Sequence, residues 1–226
     1  MATYLITGAA RGIGAELAKQ AAAQGHQVFA TVRRTPARPL DGVSYIDGVD
    51  MLAPATIGRI GEALGGRAVD VLINNAGVIG PKRQSTLAMD FDGFAETLAV
   101  NTLAPLKVTQ AVLANLRAAR DRAGIAKALT ITSAMGRMSY AASDRIAYRA
   151  SKAAVNKVMQ GLATDLAAER IAVLLIHPGW VRTDMGGAGA DVGVEESAAG
   201  ILARADELTM ATSGGFVDYA GRRIEW

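Results

Sequence analysis

Two periods of apolar residues alternate along the chain. Short runs rich in β-branched and aliphatic residues recur at 3–6, 27–32, 43–46, 69–73, 127–132, 172–176 and 215–219, and each predicts a short buried strand. Between them the spacing changes to that of amphipathic helices, at 15–24, 55–64, 91–104, 105–120, a long stretch ending near 169, and 195–208. Gly25 stops the first helix, Pro54 opens the second and Gly65-Gly66 closes it. Pro178-Gly179 breaks off the run that ends in His177, and 185–190 reads as a flexible glycine-rich loop. Strand and helix alternate with no long Pro/Gly/Ser linker and no internal repeat. That pattern predicts one α/β domain over 1–226, a doubly wound Rossmann fold with helices on both faces of the sheet.

Composition narrows the chemistry. Half of the 226 residues are hydrophobic, enough for a sizeable core, and 24 Lys plus Arg face 21 Asp plus Glu. The basic residues are scattered and form no block that would track a phosphate backbone, so nucleic acid is not the expected partner. With no Cys, disulfides and thiolate catalysis are excluded. His26 and His177 lie far apart without the neighbours a zinc site needs, so no metal is expected. No apolar run reaches the roughly 20 residues of a spanning helix, and the N-terminus lacks a charged leader, so no membrane is expected and a cytoplasmic location is the default.

The first strand runs directly into Thr7-Gly8-Ala9-Ala10-Arg11-Gly12-Ile13-Gly14 and then into a helix. In that context the glycines let backbone approach a pyrophosphate, and the helix start offers free N–H groups and the positive end of its dipole. The spacing is G-x-x-x-G-x-G, not the commoner G-x-G-x-x-G. At the end of the second strand, where an acidic side chain would select NAD, the chain has Val32 followed by Arg33-Arg34. Arg33, with Arg11 as a second cation, suits the 2′-phosphate of NADP, although a solvated strand end would look the same. Asp50 follows the third strand as a candidate for the adenine amino group. Asn74-Asn75-Ala76-Gly77 ends the fourth strand, either bracing neighbouring loops beside a cofactor or simply turning. Asn101 places an amide in an apolar helical stretch, which costs stability unless it is bonded. Ser133 stands at a strand end, where ligands collect in open parallel sheets.

Tyr148 and Lys152 fall one turn apart on one helical face. An isolated Tyr-x-x-x-Lys is ordinarily a half-buried aromatic and a solvated charge. At a strand-end crevice, however, a nearby ammonium would lower the phenol's pKa from its usual ~10 and let the pair exchange protons with an alcohol or ketone.

Taken together, the glycine motif, Asn74-Asn75-Ala76-Gly77, Asn101, Ser133, Tyr148/Lys152 and Pro178-Gly179-Trp180-Val181-Arg182-Thr183 closely resemble those of the short-chain dehydrogenases/reductases over essentially the whole chain. The ending, 215–226, is most similar to the C-factor-like and sniffer-like carbonyl reductase branch. The resemblance implies a seven-stranded parallel sheet and hydride transfer between nicotinamide and a small carbonyl or alcohol substrate, with Val32, Arg33 and Arg11 favouring NADP(H) as the cofactor. It implies Tyr148 as proton donor, Lys152 as its pKa-lowering and ribose-binding partner, Ser133 on the reacting oxygen and Asn101 on a relay water. Thr7, Gly8, Arg11, Gly12, Ile13, Gly14, Arg33, Asp50, Asn75, Ala76, Gly77, Tyr148, Lys152, Pro178, Gly179, Val181 and Thr183 would hold the cofactor. Relatives pair through their long helices, which implies a homodimer or homotetramer. One departure is the short glycine-rich stretch after Thr183 in place of a long helical insertion. It leaves the substrate side open and keeps a second possibility, a cofactor-binding signalling or regulatory protein with little turnover.

Overall fold

In the computed structural model, which describes residues 1–226, seven strands form one sheet in the order β3-β2-β1-β4-β7-β8-β9. These are β1 (Thr3–Thr7), β2 (Gln27–Thr31), β3 (Val43–Ile46), β4 (Val71–Asn74), β7 (Ala126–Ile131), β8 (Ile171–His177) and β9 (Gly215–Asp218). Every pairing in the sheet is parallel. Parallel strands need crossovers, and the crossover helices bury both faces, which is why the strands read as nearly continuous apolar runs. On one face Leu5, Leu72, Val173 and Leu175 pack with α2 (Pro54–Leu64), α4 (Ala104–Ala111), α5 (Leu113–Ala123) and α6 (Ile146–Asp165). On the other, Ile6, Ile73, Leu174 and Ile176 pack with α1 (Gly12–Ala23) and α7 (Val194–Glu207). No helix is long and apolar enough to cross a membrane.

The chain leaves β1 toward β2 and β3, then returns to lay β4 on the other side of β1. That reversal separates the loops after β1 and β4 and opens a crevice at their carboxyl ends. The glycine motif and Asn75-Ala76-Gly77 are those two loops.

Three expectations about helices need correction. The stretch 91–104 is not one α-helix: α3 (Phe91–Leu98) passes into a π-helical turn, Ala99–Leu103, before α4 begins. Pro105 has no N–H to give to that turn, and Asn101 is bonded sideways out of it, so the wider ring is tolerated. The stretch 105–120 breaks at Val112, whose backbone leaves the helical region, and resumes as α5. The long helix ends at Asp165, and the chain turns through Leu166–Arg170, with Arg170 left-handed at φ 54°. A small antiparallel hairpin, β5 (Gln84–Ser85) and β6 (Ala88–Met89), lies between β4 and α3.

Residues 185–190 are also not a free loop. Trp180 Nε1 donates to the Gly186 carbonyl (2.8 Å), and Gly186 N–H donates to Thr183 Oγ1 (3.2 Å). Arg182 donates to the carbonyls of Ala190 and Asp191, and Val181 bridges Val192. Glycine supplies the tight path, but these polar contacts fix it.

Candidate active site

The crevice is a cleft of about 1140 Å³, larger than the pocket of a typical single small ligand. Its walls are the loop after β1, the end of β2, the loop after β4, α6 and the 178–185 segment.

The close approach of backbone that a dinucleotide needs is built in at three glycines. Gly8 is left-handed (φ 68°), and a Cβ there would meet Ala76 Cα at 2.8 Å. A Cβ on Gly14 would collide with the Gly8 carbonyl and the Asn75 amide, and one on Gly77 would lie 3.3 Å from Asn101 Oδ1 and 3.8 Å from Lys152 Nζ. The loops are then locked to each other. Thr7 Oγ1 accepts the N–H of Asn75 (3.0 Å) and of Ala76 (3.1 Å), while Asn75 Nδ2 donates to the carbonyls of Thr7 and Gly8. The first turn of α1 faces the cleft through Gly12, Ile13 and Gly14 with its amides unspent. These features fit a dinucleotide pyrophosphate.

At the end of β2, Arg33 and Arg34 are exposed on the cleft rim and form no ion pair. Val32 also lines the cleft but is only 2 % exposed. Asp50 lines the same end, with Oδ1 accepting the Leu52 N–H (3.0 Å). Arg11 is already engaged: it pairs with Asp184 across the cleft mouth.

At the other end, α6 carries Tyr148 and Lys152 into the cleft. Lys152 is 5 % exposed, its Nζ donates to the Ile131 carbonyl at the end of β7 (2.9 Å), and it lies 5.7 Å from the centroid of the Tyr148 ring. A second bond, Thr132 Oγ1 to Asn156 Oδ1 (2.6 Å), ties the next turn of α6 to the same strand end. Gly136 then lets the loop after β7 touch the α6 backbone, because a Cβ there would meet Lys152 C at 2.7 Å. That contact seats Ser133 beside the phenol. Ser133 Oγ accepts the Met135 N–H (3.1 Å), so its own hydrogen is free to point at a reacting oxygen.

The electrostatics differ from the sequence expectation. Burial raises the Tyr148 phenol above its ordinary value, and the Ser133 hydroxyl and Arg145 oppose this only in part. The Lys152 ammonium does not bring it down. Burial instead pushes Lys152 down to about 8, which leaves it mostly protonated at neutral pH.

Asn101 sits in the π-helical turn and is fully bonded. Its Oδ1 accepts the Val78 N–H (2.8 Å), and Nδ2 donates to the Val78 carbonyl (2.8 Å) and to Ser151 Oγ (2.9 Å). Its bonding is the compensation that a buried amide requires. Pro178 and Thr183 line the cleft. Thr7, Asn101, Gly179 and Val181 stand behind the cleft wall as supports, while Ser133 reaches the cleft through its contact with the Tyr148 phenol. Gly179 (φ 87°) is pressed between Val192 and Tyr219, and Val181 is buried in its bridge to Val192. Sequence reasoning missed Met51, Leu52, Arg182, Asp184 and Met185, which also line the cleft. It missed Gln84 too, whose side chain reaches α6 from the small hairpin. Adjacency to the named candidates Asp50 and Thr183 was the signal for the cleft residues, whereas nothing in the sequence pointed to Gln84.

Comparison with known proteins agrees with this geometry. The short chain dehydrogenase family model matches residues 2–191. The C-signal protein of Myxococcus xanthus is 42% identical over 161 residues, covering 70% of this chain and 93% of that protein. Among solved structures, the carbonyl reductase Sniffer of D. melanogaster superposes with a TM-score of 0.90 at 28% identity, covering 100% of both chains. A carbonyl reductase from Pseudomonas aeruginosa in complex with NADP gives a TM-score of 0.82 at 33% identity, again covering 100% of both chains.

Proposed function

The chain belongs to the short-chain dehydrogenase family, and we propose that it is an NADP(H)-dependent oxidoreductase of carbonyl reductase type. The observation that carries this reading is the convergence of Tyr148, Lys152 and Ser133 at the carboxyl end of β7, beside a cleft that exceeds one small ligand. Solved relatives with NADP bound support the cofactor.

Gly8, Gly12, Ile13, Gly14, Ala76 and Gly77 hold the pyrophosphate side, Arg33 the 2′-phosphate and Asp50 the adenine. Lys152 has three ammonium hydrogens and spends one on Ile131, so two remain for the nicotinamide ribose. Pro178, Gly179, Val181 and Thr183 shape the nicotinamide end. When bound, the nicotinamide supplies hydride chemistry. This chain's residues manage the proton. Tyr148, kept neutral by burial, gives its hydrogen to the substrate carbonyl oxygen, and Ser133 donates a hydrogen bond to that same oxygen. Lys152 returns a proton to the phenol through a relay water held beside Asn101, the two side chains flanking Gly77. The protein acts in the cytoplasm as a homodimer or homotetramer.

Steady-state oxidation of NADPH with a panel of aldehydes, ketones and quinones tests the proposal. Turnover that vanishes in Tyr148→Phe is the expected result. A second reading, a cofactor-binding regulatory protein with little turnover, draws on the 42% identity to a protein named C-signal and on the short 184–193 connection. Tight NADPH binding with no turnover on any of these substrates would favour it.

A further inference from the structure

The helix that carries Tyr148 begins without a local cap. Its first three amides, those of Ile146, Ala147 and Tyr148, have no partner in the helix, and Ser, Thr, Asp or Asn would ordinarily supply one at the position before it. Here that position is Arg145, in the left-handed region at φ 52°, with no capping side chain. The neighbouring Asp144 is occupied by Arg149, which donates to its carboxylate at 2.7 Å and to its carbonyl at 2.8 Å.

The missing acceptor comes from 64 residues away. Gln84 Oε1, on the β5–β6 hairpin, accepts the Tyr148 N–H at 3.1 Å. Its Nε2 donates to the carbonyls of Ile79 (3.1 Å) and Pro81 (2.7 Å). The side chain is 9 % exposed, and its one acceptor and two donors are all used in the only sensible orientation, since a flipped amide would face donor to donor and acceptor to acceptor. Gly80 (φ 88°) leaves the room, as a Cβ there would come within 3.3 Å of Gln84 Oε1.

The other side of the same residue is held as well. Ser151 Oγ donates to the Tyr148 carbonyl (2.7 Å) and accepts from Asn101, which also clamps Val78. The Tyr148 N–H is thus bonded directly, and its carbonyl through Ser151 and Asn101, to the segment that continues from the Asn75-Ala76-Gly77 loop.

From this geometry we infer that Gln84 is a positioning residue for Tyr148, a remote cap that fixes the phenol relative to Ser133 and the cleft floor. The inference rests on the reading of Tyr148 as proton donor. A neutral amide suits the place, because an ionised carboxylate beside the helix start would favour the uncharged phenol and raise its pKa. Gln84 touches none of the residues assigned to the pyrophosphate or 2′-phosphate, so its loss acts chiefly on the phenol.

Two variants test it, each checked for native circular dichroism. Gln84→Met, of similar volume, should lower kcat by about tenfold or more through misplacement of the acid, with Kd for NADPH within about twofold of wild type. Gln84→Glu keeps an acceptor for the Tyr148 N–H but turns its second oxygen toward the carbonyls of Ile79 and Pro81, and with that carboxylate ionised it should move the Tyr148 titration to higher pH, read as the ultraviolet tyrosinate difference between each protein and its Tyr148→Phe counterpart. That titration needs no substrate and also serves if Gln84→Met does not fold. Folded variants with an unmoved phenol titration and wild-type kcat would overturn the inference. If Tyr148→Phe retained turnover while Gln84→Glu moved the titration, the proposed reaction would fall and the positioning role would stand.

Discussion

Arg11 and Asp184, 173 residues apart, pair across the mouth of the cleft, one on the glycine loop and the other directly after Thr183. Both side chains are about three-quarters exposed, at 74% and 77%, so the pair contributes little to folding. Its consequence is for the cofactor. On the proposed reading, Asp184 would compete with a 2′-phosphate for the same guanidinium. Asp184→Ala should therefore tighten NADPH by about two- to fivefold, the equivalent of an exposed ion pair, and change NADH less. Fluorescence titration of both cofactors checks this, and equal changes for the two would count against the competition.

Arg33 has no such competitor. A 2′-phosphate carries close to two negative charges, and a guanidinium fork matches its oxygens. Each charge-assisted bond contributes roughly 1.5–3 kcal/mol, so Arg33→Ala should weaken NADPH by about tenfold or more and leave NADH nearly unchanged. Val32→Asp should reverse the preference, by offering a carboxylate to ribose hydroxyls and repelling the phosphate. Because Val32 is buried, that variant should also lose stability, which thermal unfolding without cofactor would register. A wild type that binds NADH as tightly as NADPH would sink the assignment.

Tyr148→Phe removes one hydroxyl and no packing volume of consequence. Turnover should fall by at least ~10²-fold, the contribution of a positioned general acid, while NADPH still binds. Since burial raises the phenol's pKa, wild-type reduction should hold through neutral pH and decline only at alkaline pH, as the phenol ionises. A flat alkaline profile would contradict that role.

How much of this could be read from sequence depends on the range of the interactions. The strands were legible because both faces are buried and leave unbroken apolar runs, as in β1 and β8. Tyr148 and Lys152 were legible because helical geometry alone brings them together. The π-helical turn at Ala99–Leu103 was not, since Ala and Leu continue on both sides and the bond that accompanies it, from Asn101 to Val78, spans 23 residues. The hairpin holding Gln84 has two-residue strands, too short for any period to show. The glycines of 185–190 suggested freedom, whereas the fixing groups, Trp180 and Arg182, lie outside that stretch. The phenol's pKa was misjudged because sequence supplies the neighbouring charge but not the depth of burial, and burial is the larger effect here.

Self-association should be visible in solution. Leu103 is exposed on the π-helical turn, and Lys107, Ala111, Lys157 and Gly161 point outward from α4 and α6 on the side away from the sheet. On this face Leu103, Ala111 and Gly161 lie between two lysines, and a two-fold contact there would bury the small and aliphatic residues and leave the lysines at its rim. Light scattering should give a dimer or tetramer mass, and Leu103→Glu should shift it toward monomer. A monomer mass for wild type at every concentration would refute this.

Lys152 should cost the protein stability that its chemistry requires. Its ammonium is taken from an ordinary value of 10.5 to about 8 by burial alone, so the folded chain releases this proton more readily than the unfolded chain. Between pH 8 and 10.5 the unfolded state therefore binds more protons, and stability rises with pH across that window. Read downward, this contribution is complete above 10.5 and is lost as pH falls through 8. At neutral pH the buried charge then destabilises the fold by roughly 3 kcal/mol, at about 1.4 kcal/mol per pH unit of displacement. Lys152→Met has similar length and no charge, but leaves the Ile131 carbonyl without its donor, which offsets part of the gain. The variant should be inactive yet more stable than wild type by ~1–3 kcal/mol at pH 7, with the difference shrinking as pH approaches 10.5. Urea unfolding of both proteins at pH 7 and at pH 10 measures it. A Lys152→Met protein less stable than wild type by the same amount at both pH values would show that the lysine is held as a structural bond and not as a strained catalytic charge.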